Sequence, residues 1–66
     1  MISYAPLWNT INRRNMSTYD LIYKLGLSAN TIHRIKHGEA ITTKTLNELC
    51  SILDCNVEDI IVYIED

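Results

Sequence analysis

Hydrophobic residues recur at helical spacing just before the glycine at position 26. Leu21 and Leu25 fall on one face of a helix. Ser17 stands where an N-cap residue is expected, and Asp20 follows three positions later, where its carboxylate can accept the free amides of the first turn. Gly26 suits the left-handed conformation in which many helices end. A short helix is therefore predicted between Ser17 and Gly26.

A second helix is predicted directly after this glycine. Ser28 is its N-cap, Ile32 and Ile35 form its inward stripe, and Gly38 ends it. The chain between the two helices is too short for anything but a sharp turn, so the helices must cross steeply. The segment from about 18 to 37 thus predicts a helix-turn-helix.

The outward face of this second helix has amide, imidazole, guanidinium and ammonium groups and no acid. Its residues are Ala29, Asn30, His33, Arg34, Lys36 and His37. Such groups suit base edges and phosphates. The alternative interpretation is a solvated polar face on an ordinary helical hairpin.

A first helix is predicted over about residues 6–14. Pro6 suits its first position, and Leu7, Trp8 and Ile11 give it an apolar stripe. Trp8 is the largest apolar side chain and is predicted to lie at the centre of the core. A position in a binding cleft is the alternative.

Two further helices are predicted, a fourth over about 43–53 and a short fifth over about 57–61. Residues 60–64 are almost all apolar and mostly β-branched, a composition that suits either an extension of the fifth helix or a short strand. If they form a strand, residues 2–4 are the expected partner.

Length and charge restrict the class of protein. Sixty-six residues allow one domain, and 47% hydrophobic content can provide its core. Residues 1–44 hold six bases and two acids, a net charge of +4, whereas residues 45–66 hold six acids and no base, a net charge of −6. Because the bases and acids are separated along the chain, the basic part can face an anion although the total charge of the protein is −2.

Other classes lack support in the sequence. No apolar run has membrane-spanning length and no signal peptide is visible, so a cytoplasmic protein without a membrane partner is expected. Cys50 and Cys55 are expected to be buried, reduced thiols. His33 and His37 have the i, i+4 spacing of metal ligands but no third ligand nearby, so phosphate-facing histidines are favoured. No nucleophile motif or glycine-rich phosphate loop is present; neither enzymatic activity nor a cofactor is expected.

These motifs resemble the Cro and lambda-repressor-like (Xre-type) helix-turn-helix domain, in its compact bacterial or phage branch, over about residues 6–61. The matching residues are Thr18-Tyr-Asp-Leu21, Gly26, Leu27-Ser28, Thr31-Ile32, Arg34-Ile35, Gly38 and Thr45-Leu46. The resemblance implies an all-α, five-helix domain whose third helix lies in the major groove and whose dimers bind two half-sites.

Positions carried over from the family imply two sets of DNA-contacting residues. The base-reading set is Ala29, Asn30, His33 and Arg34. The backbone-contacting set is Thr18, Tyr19, Lys36, His37, Thr43 and Lys44. The chain departs from the family at Ile11, where an arginine often pairs with an acid near the end of the third helix, and at Ile22, where alanine is usual. Ala29 offers only a methyl contact.

The expected function is sequence-specific binding of double-stranded DNA by a transcriptional regulator, a repressor. An alternative is a protein-interaction or antitoxin-like module that keeps the fold without strong DNA binding, as the acidic C-terminal half favours. A homodimer is expected, joined through Val62, Tyr63 and Ile64, because this apolar run lies outside the helix-turn-helix. The alternative is that the run packs only on residues 1–4 of its own chain.

Overall fold

The structure is a computed structural model that describes residues 1–65. This part of the chain forms four α-helices, one turn of 3-10 helix and two short strands. In chain order these are β1 (Ile2–Ser3), α1 (Ala5–Arg13), α2 (Thr18–Tyr23), α3 (Ala29–Lys36), α4 (Thr43–Leu53), the 3-10 turn (Val57–Asp59) and β2 (Val62–Tyr63). The first four predicted helices are present at their predicted places, and the domain is mostly helical.

The predicted fifth helix is only the 3-10 turn, so five α-helices are not found in residues 1–65. The Asp59 carboxylate accepts the backbone N–H of Asn56 at 3.0 Å, which closes the start of this turn. Ile60 then enters the core fully buried. The following β-branched residues favour an extended chain, which ends the helix after one turn.

The two termini pair as a short antiparallel ribbon. Ile2 lies opposite Tyr63 and Ser3 opposite Val62, and the Ile64 amide donates to the Met1 carbonyl at 2.7 Å. Of the two interpretations left open for residues 60–64, the strand is confirmed, with the expected partner. Hereafter "the terminal ribbon" means Met1–Tyr4 together with Val62–Ile64.

The core is built from buried hydrophobic side chains, and all four α-helices contribute to it. Its members are Tyr4, Leu7, Ile11, Leu21, Leu27, Ile32, Ile35, Leu49, Leu53 and Ile60. Thr10 is buried among them, and its hydroxyl donates to the Asp59 carbonyl at 2.7 Å, so α1 is fixed to the 3-10 turn by a satisfied polar contact.

Trp8 does not lie at the centre of the core, contrary to the prediction. It is half-buried against the core and lines a groove of about 340 Å³ that includes Ile2, Ile35 and Ile64. The inward face of α1 is defined by Leu7 and Ile11, one helical turn apart. Trp8 is rotated by about 100° from Leu7, which places it at the border of the core beneath the terminal ribbon.

Helix α2 begins with a complete capping box. The Ser17 hydroxyl accepts the Asp20 amide at 3.2 Å, and the Asp20 carboxylate accepts the Ser17 amide at 3.0 Å. The Nζ atom of Lys24, one turn later, lies 3.4 Å from Oδ1 of Asp20. The hydrogen bond from the Ser17 backbone, assisted by Lys24, lowers the pKa of Asp20 below its usual 3.8.

We predict that Leu7→Ala destabilises the domain more than Trp8→Ala. Leu7 is completely buried, and its truncation should reduce the free energy of unfolding by about 3–5 kcal/mol. Trp8 is half-buried, and its loss should reduce that free energy by about 1–3 kcal/mol. Urea unfolding followed by far-UV circular dichroism, with a fixed amount of stabilising osmolyte for every variant, compares the two. The reverse order would contradict the core described above.

We also predict that Asp20 makes the stability of the domain depend on pH in the acid range. Its folded-state pKa is lowered from the usual 3.8, so its contribution is complete above the unfolded pKa and disappears as the pH falls through the folded value. Asp20→Asn should therefore lose less stability than the unaltered chain between pH 6 and pH 2. Glu58→Gln, at an exposed acid, is the matched control. An equal loss in the unaltered chain and Asp20→Asn would refute this role.

Candidate nucleic-acid interface

The turn between α2 and α3 is closed by a backbone hydrogen bond. The Leu27 amide donates to the Leu21 carbonyl at 3.0 Å, and the Leu27 side chain enters the core. Gly26 has φ +79°, a conformation that a residue with a Cβ rarely adopts. The chain thus reverses between α2 and α3, and the two helices contact each other, as the helix-turn-helix prediction requires.

Helix α3 packs against the core through two buried side chains. Ile32 and Ile35 are each 2% exposed, whereas the remaining residues of α3 are exposed or half-buried. At its end the Gly38 amide donates to the Ile35 carbonyl at 3.0 Å and the Glu39 amide to the Arg34 carbonyl at 2.9 Å. This is a Schellman motif, and it requires the positive φ of Gly38, +72°.

The outer face of α3 presents the predicted polar groups. Ala29, Asn30, His33 and Lys36 are exposed. The His33 ring lies 4.3 Å, centroid to centroid, from that of His37, with the planes tilted by 55°. Two imidazoles therefore stand side by side on the outer face, one turn apart, where they can approach phosphates or base edges.

Arg34 is placed differently from what its predicted base-reading role suggests. Its Nη2 donates to the Ala40 carbonyl at 2.8 Å, and its Nε lies 4.0 Å from the Glu39 carboxylate. The guanidinium therefore lies against the loop that follows α3. Helical spacing does not reveal these contacts because both partners lie beyond the end of the helix.

Helix α2 contributes an exposed aromatic pair. The rings of Tyr19 and Tyr23 lie 4.6 Å apart, and the residues are 62% and 70% exposed. Thr18, in the first turn, is half-buried. Thr18 and Tyr19 were predicted as backbone contacts, whereas the ring partner of Tyr19, Tyr23, was not predicted. Its spacing of four residues from Tyr19 is the signal that would have identified it.

The start of α4 supplies the remaining predicted backbone contacts. Thr42 caps the helix: its hydroxyl oxygen accepts the Thr45 amide at 3.1 Å. Thr43 and Lys44 follow directly and are exposed. A helix N-terminus with a neighbouring lysine attracts anions such as phosphate.

Arg14 has a structural role that sequence reasoning missed. Its guanidinium donates to the carbonyl of Leu53 and, at 3.4 Å, to that of Asp54. It thereby binds the free carbonyls at the end of α4, where a cation is favourable. A contact between positions 40 residues apart leaves no local trace in the sequence.

Neither the cysteines nor the acids form a reactive centre in residues 1–65. No group of three or more His, Cys, Asp or Glu side chains is placed there to hold a metal ion. Cys50 and Cys55 are free and half-buried, and burial, with Cys50 and Asp59 nearby, raises the pKa of the Cys55 thiol. A raised pKa keeps the thiol protonated and poorly nucleophilic. Among these residues no helix has the length and apolarity to span a membrane.

A protein-family model and a solved structure both match this chain, and both agree with the helix-turn-helix described above. A family model described as the Cro/C1-type HTH DNA-binding domain matches residues 6–66. The crystal structure of the transcriptional regulator VanUg, form II, superimposes with a TM-score of 0.86 at 28% sequence identity, covering 98% of this chain and 87% of that chain. No curated protein matches. The sequence-based resemblance is thus confirmed, and the match is to a non-enzymatic class of domain. The chain belongs to the Cro/C1-type helix-turn-helix DNA-binding family.

Proposed function

We propose that this protein is a transcriptional regulator, acting as a repressor in the cytoplasm, that binds specific double-stranded DNA with α3 in the major groove. The observation that supports this most directly is the division of α3 into two sides. Ile32 and Ile35 are buried, and the opposite side exposes groups that suit bases and phosphates. The structural likeness to VanUg, itself a transcriptional regulator, supports the same function.

Base recognition is assigned to the outer face of α3. Asn30, in the first turn, has the amide that pairs with adenine N6 and N7, and Ala29 offers a methyl group to thymine. His33, one turn later, can donate or accept a single hydrogen bond. Arg34 has the donors that suit guanine O6 and N7, once its guanidinium leaves the loop. The N-terminal part of this helix is the part that lies deepest in the groove in helix-turn-helix proteins.

Phosphate contacts are assigned to elements on either side of α3. Thr18 and Tyr19 lie at the start of α2, and Thr43 and Lys44 at the start of α4. Lys36 and His37 extend the set at the end of α3. Such contacts fix the orientation of the protein on the duplex and do not distinguish sequences.

A homodimer joined through the terminal ribbon completes the proposal. Val62, Tyr63 and Ile64 are 44%, 68% and 47% exposed, although each is apolar or aromatic. The ribbon has only two strands in residues 1–65, so β2 of a second copy can extend it across an open edge. Two copies would then present two α3 helices to half-sites about 34–36 Å apart.

The acidic C-terminal half favours a second candidate, an interaction module without strong DNA binding. Its net charge of −6 over residues 45–66 opposes approach to phosphates. A mobility-shift assay with genomic fragments at low and high salt distinguishes the two functions. Retarded fragments that survive competition by unrelated DNA at high salt support the regulator, and no retardation at either salt concentration supports the interaction module.

We predict that Asn30→Ala and Lys44→Ala impair DNA binding in different ways. Asn30→Ala should lose about 1–3 kcal/mol of discrimination at one base pair of the site. Lys44→Ala should weaken binding to all sequences alike and reduce the slope of log K against log salt by about 1. Sites selected from a random library, then titrated at several salt concentrations, measure both effects.

A charge-matched control for Lys44→Ala is Arg13→Ala. Arg13, at the end of α1, lines a groove with Glu58 and Asp59 of the acidic 3-10 turn. Its removal should therefore leave the salt slope unchanged. A base-specific effect of Lys44→Ala, or an unchanged site preference of Asn30→Ala, would show that the roles are wrongly assigned.

We predict that Tyr63→Asp abolishes self-association while the domain remains folded. A carboxylate on the exposed strand would have to lose its hydration in the dimer, whereas the monomer keeps it in water. Analytical ultracentrifugation at micromolar concentration gives the oligomeric state, and circular dichroism checks the fold. Val57→Asp is the matched control, because Val57 is 49% exposed on the 3-10 turn, outside the ribbon. A monomeric unaltered chain that binds one copy per site would refute the dimer.

A further inference from the structure

The loop after α3 holds the Arg34 side chain in a defined position. Nη2 of Arg34 donates to the Ala40 carbonyl at 2.8 Å, and Nε lies 4.0 Å from the Glu39 carboxylate. Nε and Nη2 form one of the two edges of a guanidinium that can make a bidentate pair with a guanine. That edge is turned towards the protein.

Glu39 is itself fixed by its backbone. Its amide donates to the Arg34 carbonyl at 2.9 Å, and its carbonyl accepts the Tyr4 hydroxyl at 2.6 Å. Tyr4 is 8% exposed and belongs to the core. The carboxylate therefore starts from a backbone position that the core determines, at the C-terminal end of the DNA-facing helix.

We propose that Glu39 is a specificity-determining residue that acts through Arg34 by competing with a DNA base for its guanidinium. This inference rests on the proposed DNA-binding function. Glu39 is here a positioning residue: it does not touch the base. It lowers the net preference for guanine at the position that Arg34 reads, because the Nε–Nη2 edge of the guanidinium has to leave the Glu39 carboxylate before that edge can pair with the base.

The magnitudes favour competition over permanent capture. Both side chains of the pair are about half exposed, 47% for Arg34 and 55% for Glu39, and an exposed ion pair changes an equilibrium by about fivefold at most. A good bidentate guanine contact discriminates by about 5- to 150-fold. The base can therefore displace Glu39, and Glu39 still reduces the discrimination by a measurable factor.

The test measures base preference instead of affinity. Arg34→Ala first identifies the base pair that Arg34 reads, as the position of the selected site at which preference is lost. Glu39→Gln, which removes the charge and keeps the size, should then raise the preference for guanine at that position by about two- to fivefold. Preference is a ratio of affinities for two DNA sequences, so a uniform increase in affinity from removing a negative charge cancels.

Two further variants complete the design. Glu58→Gln changes the net charge equally on the 3-10 turn and should leave the ratio unchanged. In the double variant Arg34→Ala with Glu39→Gln, the increased preference should vanish, since Glu39 acts only through Arg34. Circular dichroism melting verifies that each variant is folded.

The outcomes separate this inference from the function on which it rests. If the unaltered chain binds no DNA specifically, the proposed function fails and the inference fails with it. If the chain binds specifically but Glu39→Gln resembles Glu58→Gln, only the inference fails. It also fails if Arg34→Ala weakens all sites equally without changing base preference, because Arg34 would then serve to hold the loop.

Discussion

The burial of Ile32 and Ile35 is the interaction on which the rest of the structure depends. Helix α3 has only eight residues, and a helix so short is not stable alone in water. It exists because these two side chains pack into the core while Ser28 and the Schellman motif satisfy its ends. The same two contacts fix which side of α3 faces outward. The proposed DNA-facing surface is therefore a product of core packing, and a change in the core alters it without touching any exposed residue.

Tyr4 connects the two proposed surfaces of the domain. It follows β1 directly, its ring lies in the core, and its hydroxyl bonds to the Glu39 carbonyl at the end of α3. The terminal ribbon and the proposed DNA-facing helix thus meet through one buried side chain. A dimer formed through the ribbon would transmit its geometry to α3 over a short, well-packed path, which is what a fixed spacing of two half-sites requires.

Local features of the sequence predicted most of the fold, and they indicated the pairing of the two termini, but the long-range side-chain contacts did not appear there. The caps at Ser17 and Ser28 and the two glycines are decided within a few residues, so their positions were predicted correctly. Trp8 was misplaced because neighbouring helical positions carry apolar residues, and sequence alone does not determine which of them faces inward. The contacts of Arg14 and Arg34 join a helix to carbonyls outside it, and no periodicity records them.

The charges on the described surface explain why specific contacts must dominate any DNA complex of this domain. Four of the six basic residues bond to the protein itself: Arg13 to Thr10, Arg14 to Leu53 and Asp54, Lys24 to Asp20, and Arg34 to Glu39 and Ala40. Lys36, at the end of α3, and Lys44, at the start of α4, remain as exposed cations that are assigned to the proposed site.

Each neutralised phosphate contributes about −0.9 to the salt slope, so a single copy with two such lysines has little non-specific affinity. Acids elsewhere on the chain reduce it further. In the proposed complex, tight binding then has to come from base contacts of α3 and from the use of two half-sites at once. In the proposed complex the terminal ribbon, which would join the copies, is therefore as important for DNA recognition as the helix that would read the bases.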